Sequence, residues 1–428
     1  MKQNSYTGQE ILKKIWPLLI IHILLILFLQ TPELQGDEAR YIYYGRNLAE
    51  GFYAETPNPA LWCGPGYPLV LSPFFIFSIP LYFAKLLNAF FIFTALFYFY
   101  KAVISLNIGN TTALISTYIL GLYPPLAKWS FLLYTEPLAF MLICIFLYLA
   151  IKILSSPHPS RSDWLIGSFT LGYLALTKVI FGHVIMVSLI LSLVWLALTR
   201  KETARRSTLL FVGGFIFYTP FLLYTFLLTG KYFYSGTQGG ELLYFRSSPY
   251  EGEYGDWLNR VYIFDDLDQH PQGDFCDIPT LRKNHRPFYN QIRDLSWVQQ
   301  DSMFKLKAKE QMKNYPIKYL KNTVANICRI FFNYPYSYRK HTLAVYGHML
   351  PNMLILSALI FSLIAWIKSR RMLPLSLLVL LIFISIYLGG IILTNGTARN
   401  FIVIVPFIFC FIAYICTKIL YVEFRKSS

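Results

Sequence analysis

ILKKIWPLLIIHILLILFLQTPELQGDEARYIYYGRNLAEG, residues 11–51, is the stretch that decides the architecture. Behind Lys13 and Lys14 runs an apolar block that ends at Leu29 and holds no Asp, Glu, Lys or Arg. A hydrocarbon core is about 30 Å thick and takes about 20 mostly apolar residues per helical crossing, so residues 11–30 read as one crossing. The charged front resembles a signal peptide, but Gln30-Thr31-Pro32-Glu33 follows with no small-x-small cleavage site, and the span is expected to be retained. Beyond it the pattern changes. Asp37, Tyr41, Tyr44 and Leu48 share one helical face and Gly51 supplies a stop, which suits a helix lying along the membrane surface.

The rest of the chain repeats the apolar half of that pattern. The 428 residues are 55% hydrophobic and only 14% charged, where a soluble domain carries about 25% charge. Too few charges remain to cover a water-facing surface. The excess of 38 Lys+Arg over 22 Asp+Glu is spread between apolar segments, which excludes a basic soluble nucleic-acid binder, a disordered tail and a secreted disulfide scaffold. Uncharged or nearly uncharged windows at 11–30, 80–104, 111–131, 135–154, 164–181, 182–199, 207–229, 345–367, 373–393 and 400–420 predict an all-α polytopic membrane protein of about ten transmembrane helices. The proline-rich stretch from Thr56 to Ala84 predicts an interfacial or re-entrant piece, with an eleventh crossing as the alternative.

Lysine and arginine orient the bundle, because short cytoplasmic loops are enriched in them. Lys13 and Lys14, Lys101, Lys152 and Arg161, Arg200 to Arg206, Lys368 to Arg371, and Arg425 with Lys426 all fall on one side of a ten-span path. Both termini are therefore expected in the cytoplasm, in an inner membrane. The expected division is an N-terminal transmembrane module, 1–229, with a first outer loop at 31–66; an extracytoplasmic segment, 230–346; and a C-terminal transmembrane module, 347–428. Six cysteines show no zinc-site spacing, although Cys63 and Cys276 are able to pair on the oxidising side. The histidines, His183, His341 and His348 among them, form no ligand motif.

Chemistry concentrates in the first outer loop. Asp37 and Glu38 meet the positive end of a helix dipole, and two readings stand: first-turn acids, or an acid pair facing the polar head of a lipid-borne substrate. Lys85, Lys178 and Arg399 each fall near an outer membrane boundary, where a charge is either a functional group or a snorkelling side chain. Glu136 opens a span with Pro137 behind it, which capping explains as well as ligand contact does. The lysines at 305, 307, 309, 313, 318 and 321 fit a helix resting on lipid headgroups better than a nucleic-acid surface.

An ordered series of short motifs resembles the GT-C superfamily of polytopic glycosyltransferases, in the branch related to dolichyl-phosphate-mannose protein mannosyltransferases and the lipid A aminoarabinose transferase. The series runs through Asp37-Glu38-Ala39-Arg40-Tyr41, Gly64-Pro65-Gly66-Tyr67-Pro68-Leu69, Ala84-Lys85-Leu86-Leu87-Asn88, Thr135-Glu136-Pro137-Leu138 and Ala175-Leu176-Thr177-Lys178. It continues with Gly239-Gly240-Glu241-Leu242-Leu243-Tyr244, Asn314-Tyr315-Pro316 and Ala398-Arg399-Asn400-Phe401. Where many members carry a basic residue before the proline-rich run, this chain has Cys63-Gly64-Pro65.

The resemblance implies inverting transfer of a sugar from a polyprenyl-phosphate donor to a glycan, lipid or protein hydroxyl on the outer face of the membrane. It implies Asp37 as general base, with Glu38 as the fallback or as a neighbour tuning it. Arg399, Lys85 and Lys178 are the implied partners of the departing phosphate, and Tyr41, Tyr44, Tyr67 and Glu136 the implied substrate contacts. No metal and no cofactor is expected. An O-antigen ligase or polymerase, which relies on arginines and a histidine in its large loop, is the alternative enzyme. A lipid flippase or transporter is the alternative of another class, although the chain lacks the two related halves common in such proteins.

Overall fold

The apolar windows fold as helices because a backbone in hydrocarbon has to satisfy its own hydrogen bonds. The computed structural model describes residues 6–264, 277–339 and 343–421, so Cys276, His341, Arg425 and Lys426 lie outside the described residues. Helix α1 (Gly8–Leu29) starts at a capping box in which the Thr7 hydroxyl accepts from the Glu10 N–H and the Glu10 carboxylate accepts from the Thr7 N–H. After α2 (Glu38–Ala49) comes α3 (Gly66–Ile76), apolar but only 11 residues long. At about 1.5 Å per residue it cannot cross a membrane alone, so the proline-rich stretch makes a short piece rather than an eleventh full crossing.

Helices α4 (Leu81–Ser105), α7 (Thr135–Ser155), α9 (Ile180–Thr199), α10 (Glu202–Thr229), α16 (Tyr346–Ser369) and α17 (Leu375–Leu393) join α1 as the seven described helices long and apolar enough to cross a membrane. The other three windows are reshaped. Window 111–131 breaks into α5 (Asn110–Gly121) and α6 (Pro124–Ser130), because the residue before a proline is driven out of the helical region and Tyr123 is extended there. Window 164–181 becomes α8 (Arg161–Thr177), which begins at a Ser160–Asp163 capping box and stops where Lys178 turns extended. Window 400–420 becomes α18 (Ala398–Phe401) and α19 (Val405–Lys418), with Pro406 in the first turn of α19.

Helix α7 lies at the centre, with α4, α8 and α17 packed around it. Helices α8 and α10 approach closely through glycine: a Cβ at Gly172 would stand 2.8 Å from the Gly214 carbonyl, and one at Gly214 2.6 Å from Leu171 Cδ2. Lys152 and Arg206 stand at the far end of α7, where Arg206 donates to the carbonyls of Ile153, Ser156 and Pro157. The start of α7 faces the other end of the bundle, beside α2.

The segment between α10 and α16 is helical too. It contains α11 (Gly239–Arg246), α12 (Arg260–Phe264), α13 (Ile278–Ile292), α14 (Trp297–Asn314) and α15 (Pro316–Phe332). Helices α14 and α15 are parted at Pro316, as the sequence predicts. A second, smaller core joins α11 to α14 through Tyr244, Phe245, Leu258, Tyr262, Ile263, Leu281, Tyr289, Ile292 and Phe304. Buried acids brace it: Glu253 accepts from Asn284, His285, Ser248 and Tyr338, and Asp301 accepts from the Gly240 N–H and Tyr234. Helix α15 is inverted relative to a soluble helix, with Asn322, Asn326 and Arg329 buried and Ile317, Leu320 and Val324 exposed. That arrangement suits a lipid neighbour.

Candidate active site

The site begins at Gly36, whose φ of +54° disfavours other residues and whose place leaves no room for a Cβ beside the Tyr134 hydroxyl. This turn delivers Asp37 to the N-cap of α2, where its N–H donates to Tyr134 Oη at 2.8 Å. Two adjacent acids on a helix start point about 100° apart, and here they part company. Glu38 is fully buried and accepts from the N–H groups of Gln35 and Leu133, each at 2.7 Å. Lys85 lies 3.9 Å from it and donates to the Thr31 carbonyl at 3.2 Å. This trio ties α2, α4 and the turn before α7 together.

Asp37 faces the other way. Its Oδ2 accepts from Arg399 Nη1 at 2.6 Å, and its Oδ1 lies 3.6 Å from Arg40. Arg399 reaches Glu136 at 3.8 Å, and Glu136 accepts from Lys178 at 2.8 Å. Asp37, Arg399, Glu136 and Lys178 thus form one relay of alternating charge. Burial raises the Asp37 carboxyl, but Arg399 first, then Arg40 and Lys178, outweigh it and hold the group below its ordinary range.

Asp37 and Arg399 line a cavity of about 500 Å³ that also has walls from the segment between α10 and α16, a size that holds a small ligand. Its remaining charged walls are Arg40, Lys128, Asp256 and Arg339, and its aromatic walls are Trp129, Tyr134, Trp257 and Tyr336. Four cations face two carboxylates, which favours an anion.

The other expected residues lie elsewhere. Lys85 and Glu38 are spent on each other and on the backbone. Tyr41 is buried with its ring edge-on to Tyr67 and Tyr134. Tyr44 donates to the Ala60 carbonyl and accepts from the Trp62 N–H. Tyr67 is buried beside Asn88. None of these three lines the cavity. Glu136 and Lys178 stand behind its wall, touching it through Arg399. Sequence reasoning missed Lys128, Trp129, Asp256 and Trp257. Lys128 had a signal, being the one basic residue in the 111–131 window; Asp256 and Trp257 had none beyond Gly255 before them. Among the described residues no group of three or more His, Cys, Asp or Glu side chains gathers as a metal site.

Comparison with protein-family models finds no match, and comparison with curated proteins finds none. Solved structures do align over most of the chain. ArnT from Cupriavidus metallidurans, bound to undecaprenyl phosphate, aligns at a TM-score of 0.42 and 12% identity over 97% of this chain and 78% of its own. Its apo state aligns at 0.40 and 12% over 96% and 77%. The archaeal oligosaccharyltransferase AglB from Archaeoglobus fulgidus, in complex with an inhibitory peptide and a dolichol-phosphate, aligns at 0.48 and 15% identity over 94% of this chain. This chain spans 50% of the length of AglB.

Proposed function

We propose that the protein is an inverting glycosyltransferase that moves a sugar from a polyprenyl phosphate to a hydroxyl acceptor, with Asp37 as general base. The observation that carries this reading is the meeting of Asp37 and Arg399, 362 residues apart, on the wall of one cation-rich cavity. The acceptor oxygen attacks the anomeric carbon, the bond from that carbon to the phosphate oxygen breaks, and its electron pair leaves with the phosphate. The acceptor proton passes to Asp37. One displacement from the opposite face inverts the centre, through an oxocarbenium-like state. A carboxylate in that role contributes about 10²–10⁴-fold, and cations fixed around the leaving oxygen stabilise its charge.

The ion pair has a consequence for the order of events. A carboxylate bonded to a guanidinium at 2.6 Å is a poor base. Arrival of the donor phosphate gives Arg399 a competing anion suited to its planar fork, and Asp37 regains basicity as Arg399 turns. The basic loops at the far end of the bundle support a site facing outward from a cytoplasmic membrane, with both termini inside.

The test is a purified Asp37→Asn protein in lipid nanodiscs, supplied with polyprenyl-phosphate sugar donors and a mixed envelope-lipid acceptor fraction. Release of free polyprenyl phosphate is expected to fall at least about 10²-fold, with polyprenyl-phosphate binding retained. Unchanged release sinks the assignment. Release that never depends on an acceptor sinks the transferase reading.

A further inference from the structure

Unpaired hydrogen-bonding capacity collects in the lining of the cavity. Trp129 Nε1, Asp256 Oδ2, Trp257 Nε1, Asn395 Oδ1 and Thr397 Oγ1 are all buried atoms with no hydrogen-bond partner among the described residues, and all five residues line the same space as Asp37 and Arg399. Each such atom costs about 1–3 kcal/mol where nothing compensates it. A protein core distributes such defects thinly, whereas here they converge. Asp256 is the sharpest case: it is only 3% exposed, its Oδ1 accepts from the Ser337 N–H and hydroxyl, and its Oδ2 accepts nothing.

The set has a chemical signature. Two indole N–H groups donate, a carboxylate and an amide oxygen accept, and a hydroxyl does both. Flat aromatic faces stand among them. A fully ionised anion uses only the donors of this set; a ring carrying several hydroxyls uses donors and acceptors together. We infer that this wall, built by Trp129, Asp256, Trp257, Asn395 and Thr397, is a sugar-recognition subsite that closes on the hydroxyls of a pyranose or furanose ring beside the phosphate site. The inference rests on the transferase reading for its place in a reaction, but its own content is binding. The five atoms lie out of reach of solvent in the structure, so pairing requires the side chains to draw in around the ring, and the ring has to supply at least one donor to Asp256. Four cations and two carboxylates on the cavity favour a neutral sugar over an ammonium-bearing one.

The ring belongs either to the donor or to the acceptor, and the experiment separates the two. Full-length protein in nanodiscs is titrated by thermophoresis with bare polyprenyl phosphate, with the same lipid carrying glucose, mannose, galactose or arabinose, and with the methyl glycosides of those sugars. Trp257→Phe keeps an aromatic ring and removes the N–H, and is the deciding variant; Asp256→Asn keeps the Ser337 contact through its oxygen but loses the charge 4.0 Å from Arg329. Wild type is expected to bind at least one sugar-bearing ligand more tightly than its sugar-free counterpart. Both variants are expected to lose about tenfold for that ligand, the value of one good hydrogen bond, while binding bare polyprenyl phosphate within about twofold of wild type. Loss confined to the lipid-linked sugars assigns the wall to the donor, and loss confined to the methyl glycosides assigns it to the acceptor. Equal loss for bare and sugar-bearing lipid overturns the inference, because the wall then serves the fold or the phosphate. A wild type that gains nothing from any sugar also overturns it and leaves the Asp37–Arg399 reading standing. Glycoside binding that depends on Trp257, in a protein that ignores polyprenyl phosphate, supports the subsite and removes the donor reading.

Discussion

Asp37 and Glu38 are neighbours in sequence and opposites in structure. One accepts from arginine at a cavity wall; the other accepts two backbone N–H groups at zero exposure. Substitution should separate them. Asp37→Asn is expected to stop transfer and to lower stability less than Glu38→Gln does, since Arg399 keeps Glu136 at 3.8 Å. Glu38→Gln weakens the bonds to Gln35 and Leu133 and strands Lys85, a loss of about 3–5 kcal/mol by analogy with broken buried pairs. It should lower the thermal midpoint in detergent by several degrees with turnover per folded molecule retained. The reverse pattern would exchange their roles.

Acidity makes a second test of the same residue. A general base works deprotonated, so its contribution is complete above its folded pKa and is lost as pH falls through it. Arg399 holds Asp37 below the ordinary value of about 3.9, which places the acid limb of kcat/KM, a property of the free enzyme, below that value. The limb of kcat reports the substrate complex, where the phosphate has drawn Arg399 away. It should therefore lie at higher pH. Coincident limbs would show that Arg399 stays on Asp37 throughout. The sign for stability runs the same way: the pair stabilises the fold above the unfolded value and is lost on acidification through the folded one.

At the scale of elements, α15 holds the turn that carries Arg399. Asn326 donates to the carbonyls of Ile391 and Ile392, each at 2.9 Å, and accepts the Gly396 N–H at 2.9 Å. Arg329, fully buried, adds bonds to Gly396, Tyr254 and Pro335 carbonyls. The helix turns its polar face inward because that face has a loop backbone to satisfy, and its apolar face outward toward lipid. Asn326→Ala strands the Gly396 N–H, takes one acceptor from Arg329 and one donor from the Ile391 carbonyl, and leaves the Ile392 carbonyl with Arg246. It is expected to cost about 1–3 kcal/mol and to raise KM for the lipid donor more than it lowers kcat, since Arg399 loses its placement and Asp37 does not. A kcat effect alone would argue that α15 acts on the base instead.

For the whole molecule, the basic loops at one end of α7 and the cavity at the other define opposite sides. Cysteines introduced at the exposed positions Glu50 and Thr199 should report them. A membrane-impermeant maleimide added to intact cells is expected to label Glu50→Cys, and to label Thr199→Cys only after permeabilisation. The opposite result would put the site inside and exclude an extracytoplasmic acceptor.

How much was legible in advance follows from the range over which each interaction acts. Hydrophobic transfer sums along a contiguous stretch, so the seven long helices and the proline break at Pro316 could be read residue by residue. The breaks at Pro124 and beyond Phe401 are locally signalled as well, by proline, although the windows around them stay apolar. Asp37 and Arg399 each stood out as charges at an apolar boundary. Their meeting did not, because no local term links positions 362 apart. Nor did sequence separate Lys85, spent on Glu38, from Lys128, which lines the cavity, since both are single lysines at the margin of a greasy helix. The sequence by itself determined that the chain is a bundle of membrane-length helices with acids beyond its first span, because solvent transfer depends on composition. Only the tertiary structure decided which acid and which cations share a hollow, because side-chain direction and the return of distant turns are set by packing.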